Sequence, residues 1–211
     1  MQLVVTEIFY SLQGEGPLIG SPAIFIRMAG CIEPLCAWCD TKYAWFEFHE
    51  MNKDRIIAEV GKYPCRDVVI TGGEPFLQWD TGLKELHDEL MKNDYNIHYE
   101  TSGKVGIPDL LGAAVILSPK HIDGEWQVSR ETVRKADLFK FVADDQKSLE
   151  EIHQFVEDYR IRKERIFIMP MGATRKEQLA RMETVFSFCL QHGYQMSPRL
   201  HILIFEGRRG I

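Results

Sequence analysis

The 211-residue chain is 45% hydrophobic, 27% charged and 11% aromatic, the mixture of an ordinary globular protein. A layered domain of that length buries roughly 70% of the surface its unfolded chain exposes, so folding requires neither a disulfide framework nor a structural metal, and any metal has a functional reason first. The 25 Lys+Arg against 31 Asp+Glu give a formal charge of -6, which argues against broad attraction to nucleic acid or anionic membrane and favours a small-molecule partner.

The opening residues Met1-Gln2-Leu3-Val4-Val5-Thr6-Glu7 show no basic stretch followed by an apolar core. No uninterrupted apolar run is long enough to span a bilayer, so a cytoplasmic protein without a membrane association is expected. A first strand is predicted over residues 23–28 (AIFIRM), followed by a segment from about 30 to 51 that carries neither a strand nor a helix signal. Short β-branched runs then recur at 67–71 (DVVIT), 96–101 (NIHYET), 114–118 (AVILS), 138–143 (LFKFVA), 165–169 (RIFIM) and 200–205 (LHILIF). Each has the length and composition of a buried strand. Apolar residues at helical spacing predict helices over 54–63, 79–93, 147–160 and 176–192.

The alternation predicts an α/β fold: parallel strands with crossover helices, about six or seven strands, forming a partial, open β/α barrel in one domain. Chemistry in such folds belongs at the carboxyl ends of the strands. Those ends read Thr71-Gly72-Gly73-Glu74-Pro75, Glu100-Thr101-Ser102-Gly103, Ser118-Pro119-Lys120 and Met169-Pro170. Small, polar and turn-forming residues therefore gather on one predicted rim.

Three of the five cysteines, Cys31, Cys36 and Cys39, crowd into nine consecutive positions right after a predicted strand. That is a poor arrangement for secretory disulfides and suggests a metal in a reducing compartment. The run contains no histidine. Three soft thiolates leave one position open, as in a cubane cluster that presents its fourth iron to a substrate or cofactor, whereas structural zinc normally takes four ligands. His49 and Cys65 are candidate fourth ligands for a zinc site, and Cys65 and Cys189 are otherwise expected to be ordinary buried thiols.

With these motifs the chain resembles the radical S-adenosylmethionine enzymes, although it has four residues between Cys31 and Cys36 where the usual signature has three. The Gly72-Gly73-Glu74-Pro75 run resembles the segment that receives the S-adenosylmethionine amino group in that superfamily. A closer resemblance, from Glu7-Ile8-Phe9 to the carboxyl terminus, is to the 7-carboxy-7-deazaguanine synthase family. It is carried by Ser11-Leu12-Gln13-Gly14-Glu15-Gly16, Phe25-Ile26-Arg27-Met28-Ala29-Gly30-Cys31, Trp38-Cys39-Asp40-Thr41 and the closing Gly207-Arg208-Arg209-Gly210-Ile211.

The resemblance implies a lyase that turns 6-carboxy-5,6,7,8-tetrahydropterin into 7-carboxy-7-deazaguanine and ammonia, on the route to queuosine-type nucleosides. It implies one [4Fe-4S] cluster on Cys31, Cys36 and Cys39, S-adenosylmethionine as a reversible radical source, and Mg2+ at Thr41. It further implies substrate contacts from Leu12, Gln13, Gly14, Glu15, Arg27, Thr71, His201 and the Ile211 carboxylate. S-adenosylmethionine contacts are implied for Trp38, Asp40, Gly73, Glu74, Ser118, Pro119 and Lys120, with Met169-Pro170-Met171 against adenine. An external, flavodoxin-like electron donor and a homodimer are expected on the same ground, without direct binding of nucleic acid. Two other functions fit parts of the pattern: a radical activase acting on a protein glycine, and a zinc-binding module without catalysis.

The residue types suit those roles. A guanidinium at Arg27 can take a carboxylate with two parallel hydrogen bonds, and the Gln13 amide and Glu15 carboxylate can read a donor and acceptor edge. The Thr41 hydroxyl is a hard oxygen suited to magnesium. His201 sits in an apolar run, where a histidine is ordinarily a core residue.

Overall fold

The computed structural model describes residues 2–211 and divides into two compact units. The first comprises residues 2–11, Pro22–Ala136 and Gly210–Ile211. Its elements in chain order are β1 (Gln2–Leu12, whose last residue is counted with the second unit), β2 (Pro22–Met28), β3 (His49–Asn52), α1 (Lys53–Val60), β4 (Asp67–Gly72), α2 (Leu83–Lys92), β5 (Asn96–Thr101), β6 (Ala113–Leu117), the short hairpin β7 (His121–Ile122) and β8 (Glu125–Trp126), and α3 (Arg130–Lys135). The strands run in the order β6-β5-β4-β2-β1-β3. β2, β4, β5 and β6 are mutually parallel, and β3 closes the edge antiparallel to β1, so the sheet is open.

Parallel central strands are covered on both faces and so read as continuous apolar runs. Ala23 through Ile26 and Val68 through Ile70 are all buried. On one face Phe9 stacks on Phe25 with ring centroids 4.9 Å apart.

The second unit comprises Leu12–Ser21 and Asp137–Arg209. It contains β9 (Leu138–Ala143), α4 (Gln146–Tyr159), β10 (Ile166–Pro170), α5 (Arg175–His192), β11 (Gln195–Met196) and α6 (Leu200–Phe205). Its three strands are parallel in the order β11-β10-β9. Both long helices start on side-chain caps: Asp145 accepts from the Ser148 amide, and Thr174 and Glu177 form a reciprocal capping box. Among the described residues no helix is long and apolar enough to cross a membrane.

The predicted α/β class, the parallel strands and the open sheet are all present. Four element assignments are corrected. The run at 200–205 is the helix α6, not a final strand. A short, uniformly apolar run has no period that separates the two states. The strand predicted first is second, because β1 precedes it. In β1, Leu3 and Val5 point inward at period two while Val4 between them stays partly exposed. The helix predicted over 79–93 is two elements: a 3-10 helix at Pro75–Thr81, capped by Glu74, and α2, separated by Gly82 at φ 143. That backbone conformation is open essentially to glycine and ends the first element. The segment from 30 to 51 holds a 3-10 turn at Lys42–Trp45 and the start of β3.

Candidate active site

In the first unit the parallel pairing brings the exits of β2, β4, β5 and β6 to one rim. Two glycines join the first two exits. A Cβ on Gly72, at φ 120, would lie 2.2 Å from the Met28 carbonyl oxygen, and one on Gly73 would lie 1.6 Å from the Gly30 carbonyl oxygen. The Gly73 and Glu74 amides donate to those same oxygens at 3.0 and 2.8 Å. The Gly-Gly-Glu-Pro corner is thus joined through backbone to the residues that open the cysteine loop. Buried Gln78 reinforces the joint, exchanging hydrogen bonds with the Val4 backbone at 2.8 and 3.0 Å and donating to the Ala29 carbonyl at 3.1 Å.

Cys31, Cys36 and Cys39 are all free and half-buried on that loop. The Cys39 amide donates to the Cys36 carbonyl at 3.1 Å, the Leu35 amide to the Glu33 carboxylate at 2.9 Å, and the Lys104 ammonium to the Pro34 carbonyl. Burial pushes the Cys31 and Cys39 thiols up; Cys36 adds to both shifts and Cys31 to that of Cys39, so the three sulfurs share one electrostatic neighbourhood. Such a set of soft donors fits an iron–sulfur cluster, whose metal charge would supply the ionisation that burial opposes. Cys65 is elsewhere. It is half-buried rather than buried, and its sulfur lies 3.3 Å from the Pro22 carbonyl at the amino end of β2, opposite the cysteine loop. Cys189 is buried in the second unit, its thiol pushed up to about 12 by desolvation.

Arg27 and Thr71 are cross-strand partners in the β2–β4 register. The Thr71 hydroxyl donates to Glu100 at 3.1 Å, which extends the row onto β5. Arg27 donates through Nε to Glu7 at 2.7 Å, and the Tyr43 hydroxyl donates to the same carboxylate oxygen at 2.8 Å. The guanidinium also lies over the rings of Phe9 and Tyr43, 5.6 and 5.9 Å from their centroids. Gly210 lies beside this group, since a Cβ on it would stand 3.9 Å from Glu7 Oε2, and Ile211 follows, half-buried.

The remaining residues of the first unit flank the loop. Trp38 is half-buried, Asp40 is exposed, and the Thr41 hydroxyl donates to Asp40 at 2.8 Å. Ser118 and Pro119 are buried after β6, with the Lys120 ammonium donating to the Ser118 hydroxyl at 2.8 Å. Lys120 is among the charges felt by Cys39. Glu74 is fully buried and accepts from Thr101 Oγ1 at 2.6 Å and from the amide and hydroxyl of Ser102 at 2.9 and 2.5 Å. Its desolvation outweighs those bonds and raises its pKa. The side chain is therefore spent on linking the β4 and β5 exits.

The second unit holds the other predicted residues. Leu12 is half exposed and Gln13 is buried, in a loop closed by the Gln13 amide donating to the Ser21 carbonyl and the Gly20 amide to the Gln13 carbonyl, both at 2.8 Å. Gly14 packs against His201: a Cβ there would lie 2.3 Å from Nδ1, and the Leu200 amide donates to the Gly14 carbonyl at 2.8 Å. His201 thus lies within the helix α6, not on a strand. Glu15 accepts from Lys140 at 2.8 Å on one oxygen and from Arg199 at 2.8 Å on the other. Desolvation opposes its charge, but Lys140, Arg199 and His201 together hold the carboxyl well below the usual range. Sequence reasoning assigned no role to Glu7, Tyr43, Glu100, Lys140 or Arg199. Of these, only Glu100 stood at a recognised strand end.

Parallel strands whose exits carry three free cysteines, a Gly-Gly-Glu-Pro corner and a Ser-Pro-Lys turn match the class of iron–sulfur enzymes that use S-adenosylmethionine as a radical source. No family model matches the chain. It is 35% identical to the 7-carboxy-7-deazaguanine synthase of Pyrobaculum aerophilum, covering 98% of this chain and 96% of that one. It is also 35% identical to the synthase of Halobacterium salinarum, covering 97% and 91%. The crystal structure of QueE from Escherichia coli superposes with a TM-score of 0.80 at 29% identity, covering 95% of each chain. The chain belongs to the 7-carboxy-7-deazaguanine synthase family. It is an enzyme, a lyase of the radical S-adenosylmethionine type.

Proposed function

We propose that this protein converts 6-carboxy-5,6,7,8-tetrahydropterin to 7-carboxy-7-deazaguanine and ammonia, with a [4Fe-4S] cluster on Cys31, Cys36 and Cys39, S-adenosylmethionine and Mg2+. The observation that carries the reading is the backbone joint between the cysteine loop and the Gly73–Glu74 corner. It supports adjoining positions for a cluster and for the amino-acid part of S-adenosylmethionine on one rim. Cys31, Cys36 and Cys39 would hold the cluster, which would supply a single electron to S-adenosylmethionine, and the pair would provide the radical chemistry needed at C6 of the pterin. Ring contraction with loss of one nitrogen as ammonia leaves substrate and products at the same oxidation level, which suits a radical source that is regenerated each turnover.

The chain's own residues bind and orient. Arg27 holds the substrate carboxylate: its Nε is taken by Glu7, and its terminal nitrogens form the edge suited to two parallel bonds. Thr71, opposite Arg27 in register, offers a hydroxyl to the same molecule, and the main chain of Gly73, whose Cβ space is filled by the Gly30 carbonyl, is assigned a contact with the cofactor. Glu74 positions the corner through Thr101 and Ser102. Ser118, Pro119 and Lys120 serve the cofactor's ribose or carboxylate, alongside Trp38 and Asp40. In the second unit, Gln13 and Glu15 are assigned the donor and acceptor edge of the substrate, with Leu12, Gly14 and His201 beside them. The Ile211 carboxylate is assigned a further substrate contact. A flavodoxin-like electron donor, a homodimer and a cytoplasmic setting complete the reading on family resemblance.

The test is anaerobic incubation with the carboxytetrahydropterin, S-adenosylmethionine, magnesium and reductant, with mass analysis of the products. Formation of 7-carboxy-7-deazaguanine supports the reading; a colourless zinc protein without a reducible cluster ends it. The magnesium assignment is tested separately. Thr41→Ala removes one hard oxygen without touching the thiolates, so magnesium stimulation should fall severalfold while S-adenosylmethionine binding is kept. Unchanged metal dependence reassigns Thr41 to the turn it begins.

A further inference from the structure

Lys140 is an anomaly within its own strand. It interrupts the apolar run of β9 between Phe139 and Phe141, which are 0% and 1% exposed, and is itself only 4% exposed. Its ammonium donates to Glu15 Oε2 at 2.8 Å, and Arg199, 7% exposed at the start of α6, donates through Nε to Glu15 Oε1 at 2.8 Å. Arg199 is fixed in turn by its bond to the Gly172 carbonyl at 3.0 Å. His201 approaches Oε1 to 3.7 Å from α6. The lysine stem runs past Gly16, where a Cβ would stand in ordinary contact 3.4 Å from Lys140 Cδ. Buried ion pairs of this kind contribute little net stability over apolar residues of the same volume, because desolvation offsets the Coulombic gain. Net stability is thus a weak reason for placing them there.

A carboxylate has about four acceptor sites on its two oxygens. One cation on each oxygen fixes the plane of the group and leaves both oxygens able to accept again, side by side. That geometry complements two adjacent N–H donors, the exocyclic amine and ring N–H of an aminopyrimidinone. We propose that Lys140 and Arg199 are positioning residues for Glu15, locking its carboxylate in the one ionised orientation that selects a 2-amino pterin edge over a 2-oxo edge. The inference rests on the assignment of Glu15 to the substrate.

The experiment measures binding of 6-carboxypterin and its 2-oxo analogue 6-carboxylumazine to the anaerobic holoenzyme with S-adenosylmethionine. The parent should prefer 6-carboxypterin. Lys140→Met and Arg199→Met should each weaken 6-carboxypterin binding about tenfold, the scale of a lost charge-assisted bond, and erase the preference. Arg199→Lys, which restores the charge, should recover most of the preference. In a Glu15→Gln background, Lys140→Met should cost nothing more, because its effect passes through Glu15.

Circular dichroism melts accompany each variant, and Lys140→Gln replaces Lys140→Met in the same cycle if the latter does not fold. A preference for 6-carboxypterin that survives both methionine variants, or losses that add fully to Glu15→Gln, overturns the proposal while leaving the reaction intact. A parent that binds 6-carboxypterin but is insensitive to Glu15→Gln removes the proposal and the Glu15 assignment together. A parent that neither binds 6-carboxypterin nor forms the deazaguanine removes the functional reading as well.

Discussion

Gly73 illustrates how one residue sets the spacing of the rim. A methyl group at this position would meet the Gly30 carbonyl at 1.6 Å, and that oxygen belongs to backbone, not to a flexible side chain. Gly73→Ala should therefore displace the cysteine loop and abolish cluster retention, read as loss of visible absorbance, even where the fold persists by circular dichroism. Retention of the cluster with unchanged spectra would show that the two segments are not rigidly joined. The thiols admit a sharper contrast. Alanine at Cys31, Cys36 or Cys39 should prevent assembly of a four-iron cluster. Cys65→Ala, whose sulfur sits at the other end of β2, should leave iron content near the parent's. A stable four-iron cluster in Cys36→Ala would refute the ligand set. These residues were legible in sequence because glycine pairs and clustered cysteines carry their chemistry locally. Lys140 and Arg199 were not: each meets Glu15 across 125 and 184 positions of chain, and a single lysine in LFKFVA reads only as a flaw in a strand.

Among the helices, the long ones with a clear period were those that sequence could place. The run 176–192 was recognised as a helix, and the structure begins it one residue earlier, at the capping box of Thr174 and Glu177. Thr174→Ala removes the acceptor for the Glu177 amide and should cost about 1 kcal/mol in urea unfolding. A change within error would mean that packing of the buried Gln178, Val185, Phe188 and Cys189 fixes that end unaided. LHILIF had no such marker. Only Ile202 of its residues is fully enclosed, while Ile204 and Phe205 are 50% and 40% exposed. That distribution suits one turn and a half of helix better than a strand covered on both faces, but it is a property of the packed molecule. Hairpin β7–β8 and the short α3 escaped for the same reason: two to six residues offer too few repeats for any period to register.

Across the whole molecule, the alternation of apolar runs with helical patterns correctly implied parallel strands, because both faces of such strands are buried and the connection must be long. Burial also sets how the protein meets acid, and its two enclosed carboxylates act in opposite senses. Desolvation raises the pKa of Glu74 in the folded state above the ordinary 4.5, so between those values the native state holds a proton that the unfolded chain has released. Its contribution to stability therefore rises as pH falls toward 4.5 from above and declines toward neutrality. Glu15 is held well below 4.5, against its own desolvation, by Lys140, Arg199 and His201. Its contribution is fully present above 4.5 and is lost as pH falls through its depressed folded value. Relative to the parent, Glu74→Gln should therefore lose the gain on mild acidification: the difference in urea midpoint between the two chains, prepared without iron, should move in the parent's favour from about pH 7 to about pH 5. Below about pH 4 both chains should lose stability steeply, since the Glu15 cluster is common to them. A midpoint difference that stays constant across the upper window would show that the bonds from Thr101 and Ser102 cancel the desolvation of Glu74 and keep it ionised.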